Sequence, residues 1–212
     1  MPPRGTPRPR LGLALGDSGG HFQTDRDVGA ASVILGLLAL HEVTHDSAYL
    51  NAARRAGNWL LTVAQHNRGG LTWPDAADPG HRPSSDRFTS FDDGTPGIAD
   101  SLWRLWAATG AKRYRNAALA GMRWEERRAE SPPGSRCPRT YCRWHYDLAG
   151  GDDTIRTGMG EGNDGIAYAF DVFAQRTGNR SFERYAVTSA SYLAHLISPQ
   201  ARCRGVPAAL TT

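Results

Sequence analysis

The sequence predicts an all-α fold built from tandem αα-hairpins. The first observation is a pattern written three times, at Val33 to Trp59, Ile98 to Trp124 and Ile166 to Tyr192. Each copy has an apolar helix, a short polar break with Thr (Thr44, Thr109, Thr177), and an aromatic opening a second helix (Tyr49, Tyr114, Phe182). The second observation is the period: 65 residues separate Tyr49 from Tyr114, and 68 separate Tyr114 from Phe182. The third is another aromatic ten residues further on in each copy (Trp59, Trp124, Tyr192). One hairpin cannot bury its apolar face alone, so stacked copies share one core.

Residues 1–20 are rich in Pro, Arg and Gly and read as a disordered tail. The repeat domain then spans residues 21–198. Hairpin one runs from about Val28 to Gln65, with Val33, Ile34, Leu37, Leu38 and Leu40 at helical spacing in its first helix. Its second helix carries a narrow Ala-rich stripe and is expected to stop at Gly69-Gly70. The stretch from Leu71 to Phe91 is broken by three prolines and reads as a long loop, a kind of segment that is often functional. Hairpin two spans about Gly97 to Ala129, and Thr95-Pro96 suits its start. A second long connection, Ser131 to Met159, holds two of the three cysteines. Hairpin three spans about Gly165 to Ile197. Pro199 closes it, and residues 199–212 read as a frayed tail.

At 212 residues the chain can bury a sizeable core. Its apolar content of 40% and charged content of 22% are those of an ordinary soluble domain. A formal charge of +4, partly concentrated in the first ten residues, does not argue for nucleic acid. No stretch is apolar enough to cross a membrane, and no secretion signal is visible. Three cysteines in a chain of this size read as reduced thiols of a cytoplasmic protein.

Glycines stand before the first helix of the later repeats, in Asp93-Gly94-Thr95-Pro96-Gly97 and Glu161-Gly162-Asn163-Asp164-Gly165. These starts run into Ile-Ala, and Ala-Thr-Gly-x-x-x-Tyr leads into the second helix of hairpin two. Gly70-Leu71-Thr72-Trp73-Pro74-Asp75 follows hairpin one. Over residues 28 to 197 this wording resembles lanthionine synthetase C-like proteins. The resemblance implies an α/α toroid of inner and outer helices, of which this chain shows three hairpins where a closed toroid has six or seven. It also implies a peptide-modifying cyclase that adds Cys thiols to dehydrated Ser or Thr. Family cyclases hold one zinc with cysteine, cysteine and histidine, because thiolate is the attacking species and zinc keeps sulfur deprotonated. A His precedes the glycine in one motif of the family. Here that residue is Asp93 or Glu161, and there is no adjacent Cys-His pair.

Cys137, Cys142 and His145 form C-x4-C-x2-H beside Trp144 and Tyr146. They are the candidate zinc ligands, although under oxidising conditions the two cysteines can pair instead. Asp92, Asp93 and Glu161 stand at the starts of inner helices, which a toroid gathers at one mouth. A carboxyl there serves as general acid or base, while helix N-capping favours the same residue types. Trp73 and Asp75 either line that mouth or plug the end of the hairpin. With Gly94, Gly97, Gly162 and Gly165, whose backbone can approach a ligand closely, they form the candidate substrate surface. His41 and His45 are four apart and read as a helix-end cap. Two further readings stay open. One is a carbohydrate-active α/α barrel using Asp92, Asp93 or Glu161 as acid–base groups with Trp73 for stacking. The other is a non-catalytic scaffold that self-associates or binds a partner through uncovered inner-helix faces at Val33–Leu40 or Ile166–Phe173.

Overall fold

The computed structural model describes residues 22–67, 69–77, 83–147 and 154–197. The tails expected at 1–20 and 199–212, and Cys203 with them, lie outside the described residues. Among the described residues six helices form three hairpins: α1 (Ala30–Thr44) with α2 (Ser47–Val63), α3 (Thr95–Thr109) with α4 (Lys112–Glu126), and α5 (Asn163–Thr177) with α6 (Arg180–Ile197). α1 packs on α3 and α3 on α5, so the odd-numbered helices make an inner row. The expected partial α/α toroid is therefore the observed architecture.

The Thr breaks are a repeated local device. Thr44, Thr109 and Thr177 each donate a hydroxyl hydrogen to the carbonyl four residues back, at 2.7, 2.6 and 2.5 Å. Each hydroxyl also accepts the N–H two residues on, from Asp46, Ala111 and Asn179. The residue between is left-handed every time: His45 (φ 56°), Gly110 (φ 69°) and Gly178 (φ 67°). Glycine adopts this conformation without strain, and His45 carries it in the first copy. His45 is thus a helix-end residue, and His41 Nδ1 lies 2.9 Å from the carbonyl of Asp46.

The core is continuous through the hairpins. Ile34, Leu60, Ile98, Leu102, Leu105, Tyr114, Trp144, Phe170, Phe173 and Phe182 are among its fully buried members. Phe173 packs edge-on against both Trp103 and Phe182, which ties hairpin three to hairpin two. Gly57 permits the close approach of α2, since a Cβ there would meet Leu105 and, at 3.1 Å, the Tyr114 ring. Of the two inner faces considered for self-association, Phe170 and Phe173 are sealed. Leu40 and Val43 of α1 are 46% and 81% exposed.

The first long connection differs from the expected loop. α2 ends at Val63, and Gly69 (φ 80°) turns a small antiparallel hairpin of β2 (Gln65–Asn67) and β3 (Gly70–Thr72). Gly69-Gly70 therefore shapes a strand turn and does not stop the helix. β1 (Phe22–Gln23) pairs antiparallel with β4 (Ala76–Ala77), which fastens the chain before α1 to the loop after β3. Three-residue strands carry too little periodicity to be read from sequence. Among the described residues no helix is long and apolar enough to cross a membrane.

Candidate active site at the inner-helix mouth

The inner helices begin alike. Gly29, Gly94 and Gly162 are their N-caps, all with extended backbone and no side-chain cap. The first copy therefore shares the N-cap glycine that the sequence shows before the later two. Each glycine packs against the chain that leads to it. A Cβ on Gly94 would meet the Ser90 carbonyl at 2.5 Å, and on Gly29 the Asp25 amide at 2.5 Å. One on Gly97 would collide with the Phe91 carbonyl, on Gly162 with Thr157, and on Gly165 with the Met159 carbonyl. Gly94, Gly97, Gly162 and Gly165, expected at the substrate surface, are thus required by the packing of the helix starts. Their missing side chains make room for protein backbone.

Packing of these starts gathers a cluster of charged side chains. Asp25 is buried and accepts the N–H groups of Val28 (2.7 Å) and Gly29 (3.0 Å), which fixes the start of α1. Arg26 pairs with Asp92 at 3.2 Å and lies over the Phe91 ring. The backbone N–H groups of Phe91 and Asp92 both donate to the Gly160 carbonyl at 3.0 Å, so the approaches to α3 and α5 are stitched together. Glu161 pairs with Arg156, whose guanidinium lies 3.7 Å over the ring of Tyr146.

Asp93 is the centre of the cluster. It does not cap α3. Its Oδ2 accepts the Tyr146 hydroxyl at 2.9 Å and the Ser90 hydroxyl at 3.3 Å. Burial pushes the Asp93 pKa up, and the negative charges of Glu161 and Asp25 push it the same way. The hydrogen bonds from Tyr146 and Ser90 oppose this but do not cancel it. The Tyr146 hydroxyl is likewise raised, first by burial and then by the charge of Asp93. The pair is thus a half-buried carboxyl biased toward its protonated form and held by a phenol that stays protonated. Such an arrangement can deliver or accept a proton.

Tyr146 reaches this place through the second long connection. The Trp144 N–H donates to Asn163 Oδ1 (2.8 Å), and Asn163 Nδ2 returns a bond to the Trp144 carbonyl (3.0 Å). The Trp144 indole donates to the Glu125 carbonyl at 2.9 Å. Phe88 stacks on the Tyr146 ring at 4.8 Å. The sequence reading noted Tyr146 only as a neighbour of the cysteines and missed Asp25, Arg26, Ser90 and Arg156. Their signal is tertiary: they are brought in by loop backbone pairing, which leaves no period in the sequence.

Other residues singled out in the sequence also take structural places. Trp73 is 2% exposed, and its indole donates to the Leu60 carbonyl at 2.8 Å, so it plugs the hairpin end and offers no stacking surface. Asp75 is tied through its backbone to Thr24 and Asp86, which fastens the loop around it to the segment before α1. The residues proposed for zinc do not fit the metal as they stand. Cys137 and Cys142 are joined in a disulfide, so neither sulfur is a thiolate. His145 Nε2 lies 2.8 Å from Glu130 Oε2. Among the described residues no group of three or more His, Cys, Asp and Glu is placed to hold a metal ion. The expectation of reduced thiols does not hold for Cys137 and Cys142.

Comparison with known structures defines the class. The chain is similar in fold to nisin cyclase, with a TM-score of 0.60 and 15% identity over 82% of this chain and 41% of that one. It is similar to cellobiose 2-epimerase from Spirochaeta thermophila, with a TM-score of 0.56 and 15% identity over 84% of this chain and 46% of that one. A family 76 glycoside hydrolase from a bovine Bacteroides thetaiotaomicron strain gives 0.54 and 17% over 78% of this chain and 34% of that one. The chain has the fold of these α/α-toroid proteins and spans less than half the length of each. No family model and no curated protein matches the sequence.

Proposed function

We propose that this chain is a lanthionine-synthetase-C-like α/α-toroid enzyme whose mouth works by proton transfer through Asp93. The observation that carries the reading is the raised, half-buried Asp93 carboxyl held by Tyr146. It stands directly before the N-cap glycine of an inner helix, where the resembling family places a histidine in one motif. In thiol addition to a dehydrated Ser or Thr, the new S–C bond forms at the β-carbon. The double-bond electrons move toward the carbonyl, and the enolate must then gain a proton at the α-carbon. Asp93 supplies that proton, and the proton lost by the thiol leaves through solvent and restores Asp93. The disulfide-bonded loop contributes no metal to this reading.

The test is a peptide carrying one cysteine and one dehydroalanine, with loss of alkylatable thiol as readout. Asp93→Asn should slow cyclisation about 100-fold, the lower end of the general-acid range. Cyclisation at the wild-type rate in that variant would sink the reading.

A second reading is favoured by the proximity of Asp93 to Glu161. A raised carboxyl with a second carboxyl beside it suits glycoside cleavage, with Asp93 as acid and Glu161 as base. Tyr168, 41% exposed and edge-on to Phe91, offers a sugar-facing ring. Release of reducing sugar from an oligosaccharide, with no thiol loss from the peptide, selects this reading over the first.

A further inference from the structure

The geometry points to a second site, away from the mouth: the cleft between the disulfide loop and α6 docks an acidic peptide segment in extended conformation. The cleft holds about 580 Å³ and is lined by Arg139, Arg180, Glu183, Arg184, Val187 and Pro138, among others. The three arginines are exposed, and none of their guanidinium groups has a hydrogen-bond or ion-pair partner among the described residues. Three positive charges face a single carboxylate, Glu183. The first turn of α6, which begins at Arg180, adds the positive end of the helix dipole.

The spacing selects the ligand. Arg180 and Arg184 are one turn apart on one face of α6, about 6 Å along its axis, and Val187 continues that stripe. In an extended chain, side chains of one face recur every ~6.7 Å. Acidic residues at alternate positions therefore match the two arginines in register, and an apolar residue beyond them meets Val187. A single phosphoryl group asks for donors converging on one point, and here Glu183 stands among them.

The opposite wall is preformed. Arg139 sits within the loop closed by the Cys137–Cys142 disulfide. That loop is pinned to α6, with the Cys142 N–H donating to the Thr188 carbonyl (3.3 Å) and the Thr188 hydroxyl to Cys142 Sγ (3.2 Å). The Arg139 N–H donates to the Arg136 carbonyl at 2.6 Å. A fixed wall lowers the ordering cost of binding. The inference does not rest on the role of Asp93.

The experiment is fluorescence anisotropy with a labelled decapeptide of alternating Glu and Ser. The peptide should bind, and binding should weaken about tenfold between ~50 and ~300 mM salt. Arg180→Glu with Arg184→Glu, its fold checked by circular dichroism, should weaken binding at least about tenfold, and Glu183→Gln should strengthen it. Absence of binding overturns the inference, as does wild-type affinity in the double variant. A peptide with the same glutamates in one block binding equally well overturns the register argument. Full displacement by millimolar inorganic phosphate at constant ionic strength overturns the peptide in favour of a single phosphoryl group.

Discussion

Tyr146 donates its hydroxyl hydrogen to Asp93 at 2.9 Å across 53 residues of sequence. One partner stands at the start of α3, and the other lies in the connection between hairpins two and three. The bond thus spans the seam between repeats, and it opposes the burial that raises the Asp93 pKa. Tyr146→Phe should let that pKa rise further. A general acid works while protonated, so the fall of activity at high pH should move to still higher pH in the variant. A carboxyl NMR titration of Asp93 reads the same shift without substrate. A shift downward would show that the phenol does not control this carboxyl.

Glu125 is a different buried acid. It is fully buried on α4, and neither carboxylate oxygen has a hydrogen-bond partner among the described residues. Burial raises its pKa well above the usual range, against the attraction of Arg128. A carboxyl raised in the folded state binds its proton more tightly there than when unfolded. Its stabilising share is therefore full below the unfolded value and is lost as pH rises through the folded one. Thermal unfolding of the wild type should show stability falling across that window. Glu125→Gln, which cannot ionise, should flatten the curve. Parallel curves for the two proteins would contradict the assignment.

The glycines divide into two kinds with opposite expected outcomes. Gly97 faces the Phe91 carbonyl and Gly165 the Met159 carbonyl, both too close for a Cβ. Backbone cannot swing aside as a flexible side chain does, so Gly97→Ala should cost about 3 kcal/mol, at the upper end for overpacking. Gly36 lies within α1 with nothing inside 4 Å of a Cβ. Gly36→Ala should stabilise by about 0.5–1 kcal/mol through helix propensity. Urea unfolding of both variants checks the pair, and equal effects would refute the distinction.

The hairpins were legible because their signal is local and repeated. Thr44, Thr109 and Thr177 recur with aromatics at fixed offsets, and the structure shows one hydrogen-bond device at all three. Asp93 was legible as a carboxyl before a helix, but the sequence favoured capping, whereas its side chain turns to Tyr146. Trp73 was ambiguous since an aromatic in a Pro-rich loop reads equally as lid or plug. Only the Leu60 carbonyl, supplied by α2, decides it. The cysteines were ambiguous for a chemical reason: C-x4-C suits both a ligand pair and a bridge, and redox state is not written in spacing.

A buried carboxylate clasps two inner helices together. Asp100 of α3 is 2% exposed and binds Arg176 of α5 at 2.6 Å and Arg104 of its own helix at 3.0 Å. Arg176 also lies over Trp103 and Phe173, so the carboxylate holds it against the aromatic seam. Asp100→Ala should destabilise by about 3 kcal/mol, near the lower bound for breaking a buried pair. The lower bound applies because the freed arginines can reach water. Arg104 is half exposed, so Arg104→Ala should cost at most about 1 kcal/mol. Arg176→Ala should exceed that, since it removes the ion pair and the ring packing together. Urea unfolding of the three variants tests the order. If Asp100→Ala and Arg104→Ala cost the same, the clasp across the helices contributes nothing beyond the surface pair.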